Sequence, residues 1–150
     1  MRVIILAAGQ GTRLRPLTDD RPKCLVELGG VSLLERQARV LAGEGFRDLC
    51  VVGGYRADQI ESRGFRVVRN PRYEQTNMVA SLFCVAEAFD GGDDVLVAYG
   101  DIVYERRVLR AVAASPAAIA LAVDLAWRRY WCVRFADPLS DAETMKLDAE

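Results

Sequence analysis

Residues 3–18 read VIILAAGQGTRLRPLT, an apolar run that passes directly into a loop rich in glycine and arginine. An unbroken run of valine, isoleucine, leucine and alanine is typical of a strand that is buried on both faces of a sheet. Gly9 and Gly11 let backbone N–H groups turn inward and approach phosphate oxygens closely. The stretch therefore predicts a buried first strand that ends at an anion-binding loop. For the glycines alone, an ordinary β-to-α turn is the alternative.

Similar apolar runs alternate with amphipathic segments along the rest of the chain. The predicted strands are Val3–Ala8, Asp48–Gly53, Phe65–Arg69, Asp94–Tyr99 and Ala118–Val123. The predicted helices begin at the capping box of Ser32 and Glu35, at about Asn77 (ending near Phe89) and at about Glu105 (ending near Ala114). The alternation indicates an α/β fold, a mainly parallel sheet with helices on both faces. Such sheets bind ligands beyond the carboxyl ends of their strands.

Length and composition limit the possible functions. With 150 residues, 51% of them hydrophobic, we expect one domain over residues 1–150. The net charge of −1 argues against nucleic acid or anionic membranes as partners, and no apolar stretch reaches the roughly 20 residues of a membrane span. The absence of histidine excludes catalysis by imidazole. Four widely spaced cysteines suggest free thiols in a reducing compartment, so we expect a cytoplasmic protein.

The glycine-rich loop departs from the two commonest phosphate-binding motifs. The dinucleotide fingerprint needs a small residue where this chain has Leu14, and the chain contains no G-K-[ST]. Arg13 instead offers a fork of donors for phosphate oxygens, and Lys23, one of two lysines, offers a compact cation. These residues favour a triphosphate site.

The strings LAAGQGTRLRPLT (residues 6–18) and RPKCL (residues 21–25) resemble the signature of nucleotidyltransferases that join a nucleoside triphosphate to a phosphorylated sugar, choline or phosphonate acceptor. The resemblance implies a Rossmann-like fold, of which the C-terminal part is expected to be missing here. It implies that Lys23 and Arg13 are catalytic, because they would stabilise charge as pyrophosphate leaves. The expected nucleotide-binding residues are Leu6, Ala7, Ala8, Gly9, Gly11, Thr12, Arg13, Lys23, Asn77 and Ser81.

A second sequence pattern makes the resemblance more specific, because it indicates one subgroup of these nucleotidyltransferases. The residues around Asn70, Tyr73, Asn77 and Ser81 are similar to the N-x-x-Y…N-x-x-S-L pattern of phosphocholine and aminoalkylphosphonate cytidylyltransferases. Asn77 and Ser81 are four residues apart and would share a helix face, where an amide and a hydroxyl could contact a pyrimidine edge. Capping of the helix by Thr76 or Asn77 is the alternative, and the two roles are compatible.

Asp101 follows the predicted strand that ends at Tyr99. The resemblance assigns this carboxylate to Mg²⁺, a hard cation that binds oxygen ligands and bridges phosphates. An aspartate that merely caps the following turn is the alternative. The family also takes a second aspartate ligand from a later strand, for which the sequence offers no candidate.

The segment from Asp124 to Arg134 is expected to face the acceptor. Trp127, Tyr130 and Trp131 could attract an ammonium group through cation–π contacts, and Asp124 would add charge. Aromatic residues of a core or an interface are the alternative.

The sequence therefore predicts Mg²⁺-dependent transfer of CMP from CTP to an acceptor resembling phosphocholine or aminoethylphosphonate, with release of pyrophosphate. A sugar-1-phosphate nucleotidyltransferase that uses UTP or dTTP is one alternative, and a non-catalytic nucleotide-binding fragment is another. A homodimer is among the states that the sequence leaves open.

Overall fold

A computed structural model gives the fold of residues 1–142. The strands are β1 (Arg2–Ala7), β2 (Glu27–Leu28), β3 (Val31–Ser32), β4 (Leu49–Gly53), β5 (Val67–Arg69) and β6 (Val95–Tyr99). The helices are α1 (Leu33–Gly43), α2 (Ala57–Glu61), α3 (Met78–Phe83), α4 (Arg106–Ala113) and α5 (Trp127–Arg134). Short 3-10 turns occupy Thr12–Leu14, Lys23–Leu25, Ala86–Phe89 and Pro138–Ser140. No helix in this part of the chain is both long and apolar enough to cross a membrane.

The main sheet contains four strands in the order β5-β4-β1-β6, all parallel, and β2 and β3 form a small antiparallel ribbon. The chain moves outward from β1 through β4 to β5 and then crosses to the other side of β1, where it forms β6. The strand order therefore reverses between β1 and β6. In open α/β sheets, ligands bind beyond the carboxyl ends of the strands at this point.

Helices pack against both faces of the sheet, as the sequence predicts. On one face, Val3, Ile5 and Val51 pack in a core with residues of α1, α2 and α4, namely Leu34, Leu41, Ile60 and Leu109. On the other face, Ile4, Cys50 and Val52 pack with Leu82, Val85 and Ala88, from α3 and the turn that follows it. Because side chains alternate along a strand, the apolar run of β1 supplies both cores. The α/β fold class is confirmed.

The capping box at the start of α1 is also confirmed. The Glu35 backbone N–H donates to Ser32 Oγ at 3.2 Å, and the Ser32 backbone N–H donates to the Glu35 carboxylate at 3.2 Å. These hydrogen bonds from Ser32, together with Arg63, lower the pKa of Glu35. Ser32 is fully buried, so the cap fixes the first turn of α1 within the core.

Two predicted elements differ from the structure. The helix predicted over Asn77–Phe89 is interrupted: α3 ends at Phe83, and Val85 adopts a non-helical φ of −122° and ψ of 35° before a separate 3-10 turn. The strand predicted over Ala118–Val123 is absent, and Ile119 and Leu121 are 82% and 73% exposed. A β-rich composition yields a strand only where neighbours provide packing and pairing, and this segment pairs with no strand among the described residues.

The chain divides into two compact units, Met1–Ser115 and a second that begins at Pro116. The first unit contains the sheet, helices α1 to α4 and all buried apolar residues among those described. The second contains α5, which the sequence did not predict, and none of its residues 116–142 is buried. The prediction of a single domain over residues 1–150 stays a prediction.

Candidate active site

A cleft of about 280 Å³ opens at the carboxyl ends of β1 and β6. This is the point where the strand order reverses. Nine of the predicted site residues line the cleft: Leu6, Ala7, Ala8, Gly9, Gly11, Lys23, Asn77, Ser81 and Asp101. They come from four regions of the sequence, which are the end of β1 with the loop after it, the 3-10 turn that begins at Lys23, the start of α3 and the turn after β6.

The loop after β1 is held by local contacts. Gly11 has a φ of 72°, and a Cβ atom at this position would lie 2.9 Å from Lys23 Cβ. Both the left-handed backbone and the close approach of Lys23 therefore require glycine. Thr18 is fully buried, and its hydroxyl donates to the Gly11 carbonyl at 2.9 Å. The loop thus packs directly against the segment that carries Lys23.

Lys23 and Asp101 form an ion pair within the cleft. The Lys23 Nζ atom lies 2.5 Å from Asp101 Oδ2, although the two residues are 78 positions apart in the sequence. Gly100 brings the turn of Asp101 close to β1, because its backbone N–H donates to the Leu6 carbonyl at 2.9 Å and a Cβ there would lie 2.8 Å from Ala7 Cβ. The structure therefore places the predicted cation and the predicted metal ligand side by side.

The donor set of this cleft fits a magnesium ion that is shared with a phosphate ligand. Asp101 supplies a carboxylate whose side chain is 37% exposed, so one of its faces is accessible. Mg²⁺ commonly binds proteins through one or two carboxylates, and it takes its other ligands from substrate phosphates and water. Among the described residues there is no group of three or more metal-binding side chains, so this part of the chain provides no complete protein cage.

A buried hydrogen-bond network built on Asn70 holds the start of α3. Its Nδ2 donates to Thr76 Oγ1 at 2.9 Å and to Ser81 Oγ at 3.0 Å, and its Oδ1 accepts from the Arg72 backbone N–H at 3.0 Å. Ser81 is buried, and its hydroxyl also donates to the Asn77 carbonyl at 3.3 Å. Asn70 and Ser81 therefore fix the loop and helix that form one wall of the cleft.

Asn77 is the N-cap of α3. Its Oδ1 accepts from the Ala80 backbone N–H at 3.1 Å, which is the capping role that the sequence left open beside contact with the base. Asn77 also lines the cleft, so the cap fixes the place of its side chain at the cleft wall. Contact of Asn77 with the base stays a prediction.

Several residues that the sequence did not assign also line the cleft. They are Cys24, Tyr73, Thr76, Met78, Tyr99 and Gly100. The Tyr99 hydroxyl donates to Met78 Sδ at 2.9 Å, which connects β6 with α3. Burial raises the pKa of Cys24 to about 12, so its thiol stays neutral and forms part of the wall. Tyr73 and Thr76 lie within the stretch that resembles cytidylyltransferases. This resemblance is the feature of the sequence that could have identified them as cleft residues.

Thr12 and Arg13 lie on the exposed 3-10 turn of the same loop rather than in the cleft lining. Thr12 and Arg13 directly follow Gly11 in the sequence, and Gly11 does line the cleft. Their assignment to the nucleotide stays a prediction.

The four residues predicted to face the acceptor belong to the second unit. Asp124 Oδ1 accepts from the Ala126 backbone N–H at 2.8 Å, just before α5 begins. The Trp131 ring lies edge-on to Trp127 and Tyr130, with centroid distances of 6.5 and 5.5 Å. The Arg134 guanidinium lies 5.1 Å from the Trp131 centroid and 5.7 Å from that of Tyr130. The aromatic cluster thus binds a cation of its own chain, and its role toward an acceptor stays a prediction.

Comparison with known proteins gives the family. Residues 3–147 match the family described as the MobA-like NTP transferase domain. The chain belongs to this family. It is 36% identical to the CTP:phosphoglutamine cytidylyltransferase of Campylobacter jejuni over 98% of this chain and 62% of that protein. It is 37% identical to a UTP–glucose-1-phosphate uridylyltransferase of Haloferax volcanii over 76% of this chain and 52% of that protein.

A solved structure supports the same relationship. The CTP:phosphocholine cytidylyltransferase of Streptococcus pneumoniae superposes with a TM-score of 0.61 and 38% identity, covering 67% of this chain and 44% of that one. The nucleotidyltransferase resemblance and the Rossmann-like fold are therefore confirmed. The chain spans less than two thirds of the length of each of these three relatives.

Proposed function

We propose that this chain carries the nucleotide site of a cytidylyltransferase, which transfers CMP from CTP to a phosphorylated or phosphonate acceptor of the phosphocholine or aminoethylphosphonate type. The observation that carries the proposal is the pairing of Lys23 with Asp101 beside the glycine-rich loop. A cation, a carboxylate and a loop rich in backbone donors are the groups that a triphosphate and its metal require. Likeness to cytidylyltransferases that act on phosphoglutamine and phosphocholine supports the choice of CTP.

The chemistry is an in-line displacement at phosphorus. An acceptor oxygen forms a bond to the α-phosphorus of CTP, the bond from that phosphorus to the bridging oxygen breaks, and pyrophosphate leaves with the electron pair. Such reactions need positioning and charge stabilisation rather than a covalent intermediate. This suits a chain without histidine.

Lys23 and Arg13 stabilise the negative charge that develops as pyrophosphate leaves. The Lys23 ammonium has three donors, so it can keep its contact with Asp101 and still donate to a phosphate oxygen. Arg13, on the exposed turn of the loop, contributes a second cation to the triphosphate. Asp101 is the residue that would hold Mg²⁺, which would supply positive charge to the phosphates. The backbone at Gly9 and Gly11 leaves room for the phosphates to approach.

Asn77 and Ser81 form the side of the cleft that contacts the base. Asn77 Oδ1 is used by the helix cap, so the amide NH₂ is the group that contacts the base. Cytosine has acceptors at N3 and O2, whereas N3 of uracil carries a proton. A donor aimed at N3 therefore favours cytosine over uracil. Ser81 fixes this wall through Asn70.

Calorimetric titration of the chain with CTP, UTP, dTTP, ATP and GTP, each with Mg²⁺, tests the proposal. We expect selective binding of CTP that Asp101→Asn weakens at least tenfold, because the variant removes the carboxylate charge. The exposed Asp90, outside the cleft, provides the control variant Asp90→Asn, which should leave binding unchanged. Absence of CTP binding, or CTP binding that is equal in both variants, would contradict the proposal.

A sugar-1-phosphate nucleotidyltransferase is the second candidate, favoured by the identity to the Haloferax uridylyltransferase. Preference for UTP or dTTP in the same titration would decide for it. CTP binding without turnover of phosphocholine or aminoethylphosphonate would favour the non-catalytic fragment. The four cysteines, all unpaired, support a reaction in the reducing cytoplasm.

A further inference from the structure

A buried glutamine lies behind the turn that carries Asp101. Gln37 stands near the middle of α1 and is only 2% exposed. Its Nε2 donates to two backbone carbonyls, that of Tyr99 at 2.8 Å and that of Ile102 at 3.0 Å. These two carbonyls flank Gly100 and Asp101 in the chain. One amide group therefore bridges the two ends of the turn from the side of α1.

The core position of Gln37 is an unfavourable place for an amide. On the same helix face, three residues before and four residues after it, stand the fully buried Leu34 and the nearly fully buried Leu41. Gln37 Oε1 is buried and has no hydrogen-bond partner among the described residues. Burial of an unpaired polar atom costs free energy, and a leucine would avoid that cost. The contacts that offset it are the two hydrogen bonds to the turn.

We propose that Gln37 is a positioning residue, which acts through the turn of residues 99–102 to hold Asp101 against Lys23 and toward the metal. This rests on the proposed function as far as the metal is concerned. The hydrogen bonds described for Gln37 reach neither the nucleotide loop nor α3. Replacement of Gln37 should therefore change the position of Asp101. Residues that orient a metal ligand typically change metal affinity or activity 10- to 100-fold when they are replaced.

Two substitutions remove the donor and keep the approximate size of the side chain, namely Gln37→Met and Gln37→Leu. We expect both to weaken the binding of Mn²⁺, measured by paramagnetic titration with CTP present, by about 10- to 100-fold. At saturating metal, the KM for CTP should change less than threefold, because Gly11 and Asn77 are untouched. Backbone amides of residues 100–103 should exchange with solvent faster than in the unchanged chain.

Ser32→Ala is the matched control. Ser32, the N-cap of α1, is also a fully buried polar residue, but its hydrogen bonds stabilise the helix start and do not reach the turn. This variant should lower the stability of the chain and leave Mn²⁺ affinity within twofold. An equal loss of Mn²⁺ affinity in Ser32→Ala would show that destabilised α1, rather than the Gln37 amide, is responsible, and would overturn the proposal.

A measurement on the unchanged chain covers the case in which the Gln37 variants do not fold. Both side-chain amide protons of Gln37 are donated to carbonyls, so they should exchange slowly in nuclear magnetic resonance spectra. Fast exchange of these protons, or unchanged exchange at residues 100–103 in the folded variants, would overturn the proposal. If the unchanged chain binds neither Mn²⁺ nor CTP, the proposed function fails, and the exchange rates alone decide whether Gln37 holds the turn.

Discussion

The two units of this chain are built from similar residues but use them differently. In Met1–Ser115, apolar runs become central strands, and Val3, Ile4 and Ile5 are fully buried. In residues 116–142, an equally apolar run remains irregular, and Ile119, Leu125 and Val133 are between 82% and 91% exposed. An apolar run therefore becomes a strand only where neighbouring strands pair with it. β1 has β4 and β6 on either side, whereas the described part of the second unit contains no strand.

Truncation of one isoleucine in each unit tests whether burial differs between the units as described. Ile5→Ala should lower the free energy of unfolding by about 2–5 kcal/mol, because the residue is fully buried and a cavity remains. Ile119→Ala should change it by less than about 0.5 kcal/mol, because the side chain is largely exposed. Urea unfolding followed by circular dichroism measures both. Comparable losses would show that Ile119 packs as Ile5 does, and the contrast between the units would be wrong.

The second prediction concerns the chemistry assigned to the first unit. Lys23→Ala should lower kcat/KM for CTP by about 100- to 1,000-fold, equivalent to about 2.7–4 kcal/mol, since it removes a donor to developing charge. Arg21→Ala is the control, because Arg21 is two residues away but pairs with Asp20 outside the cleft. Pyrophosphate release measures both variants. If Lys23→Ala stayed within threefold of the unchanged chain, Lys23 would have no catalytic role.

The third prediction compares two glycines of one loop. Gly11→Ala should cost at least about 1–2 kcal/mol of stability, because the left-handed backbone disfavours a side chain and the added Cβ meets Lys23. Gly9→Ala should change stability by less than about 0.5 kcal/mol, since a Cβ there has no atom within 4 Å and Gly9 lies outside the left-handed region. Thermal unfolding separates the two variants. Equal effects would mean that the close packing of Gly11 on Lys23 does not contribute to stability.

Local patterns explain what the sequence could predict. The capping box of Ser32 and Glu35 involves two residues three positions apart, so its geometry follows from the helix itself. The apolar run and the two glycines of residues 3–11 are likewise a local pattern, although the strand itself forms only beside β4 and β6. For the same reason the approximate site was predictable, because the carboxyl ends of parallel strands lie along one edge of the sheet.

Contacts between distant residues explain what the sequence could not predict. The pairing of Lys23 with Asp101 spans 78 positions, and the hydrogen bonds of Gln37 to the turn span 62 and 65. The helical period places Gln37 on the apolar face with Leu34 and Leu41, but it does not show which distant groups the amide contacts. α3 ends before Val85, whose backbone is non-helical and whose side chain packs in the core with residues of the sheet. The prediction of a strand at Ala118–Val123 was wrong for the same reason, because a strand forms only where another segment of the chain pairs with it.

The fourth prediction concerns whether the aromatic cluster of the second unit binds the acceptor. Trp127→Ala and Trp131→Ala should each raise the KM for phosphocholine about two- to fivefold, as loss of an exposed cation–π contact worth about 0.5–1 kcal/mol would do. Arg134 lies over Trp131 and Tyr130, so it competes with an acceptor ammonium for the same rings. Arg134→Gln should therefore lower the KM for phosphocholine while the KM for CTP stays constant. A cluster that is purely structural would give the opposite sign for Arg134→Gln or no change, because removal of the guanidinium would then only loosen α5. Steady-state kinetics with phosphocholine as the varied substrate distinguishes a ring face that binds ligand from one that packs only with its own chain.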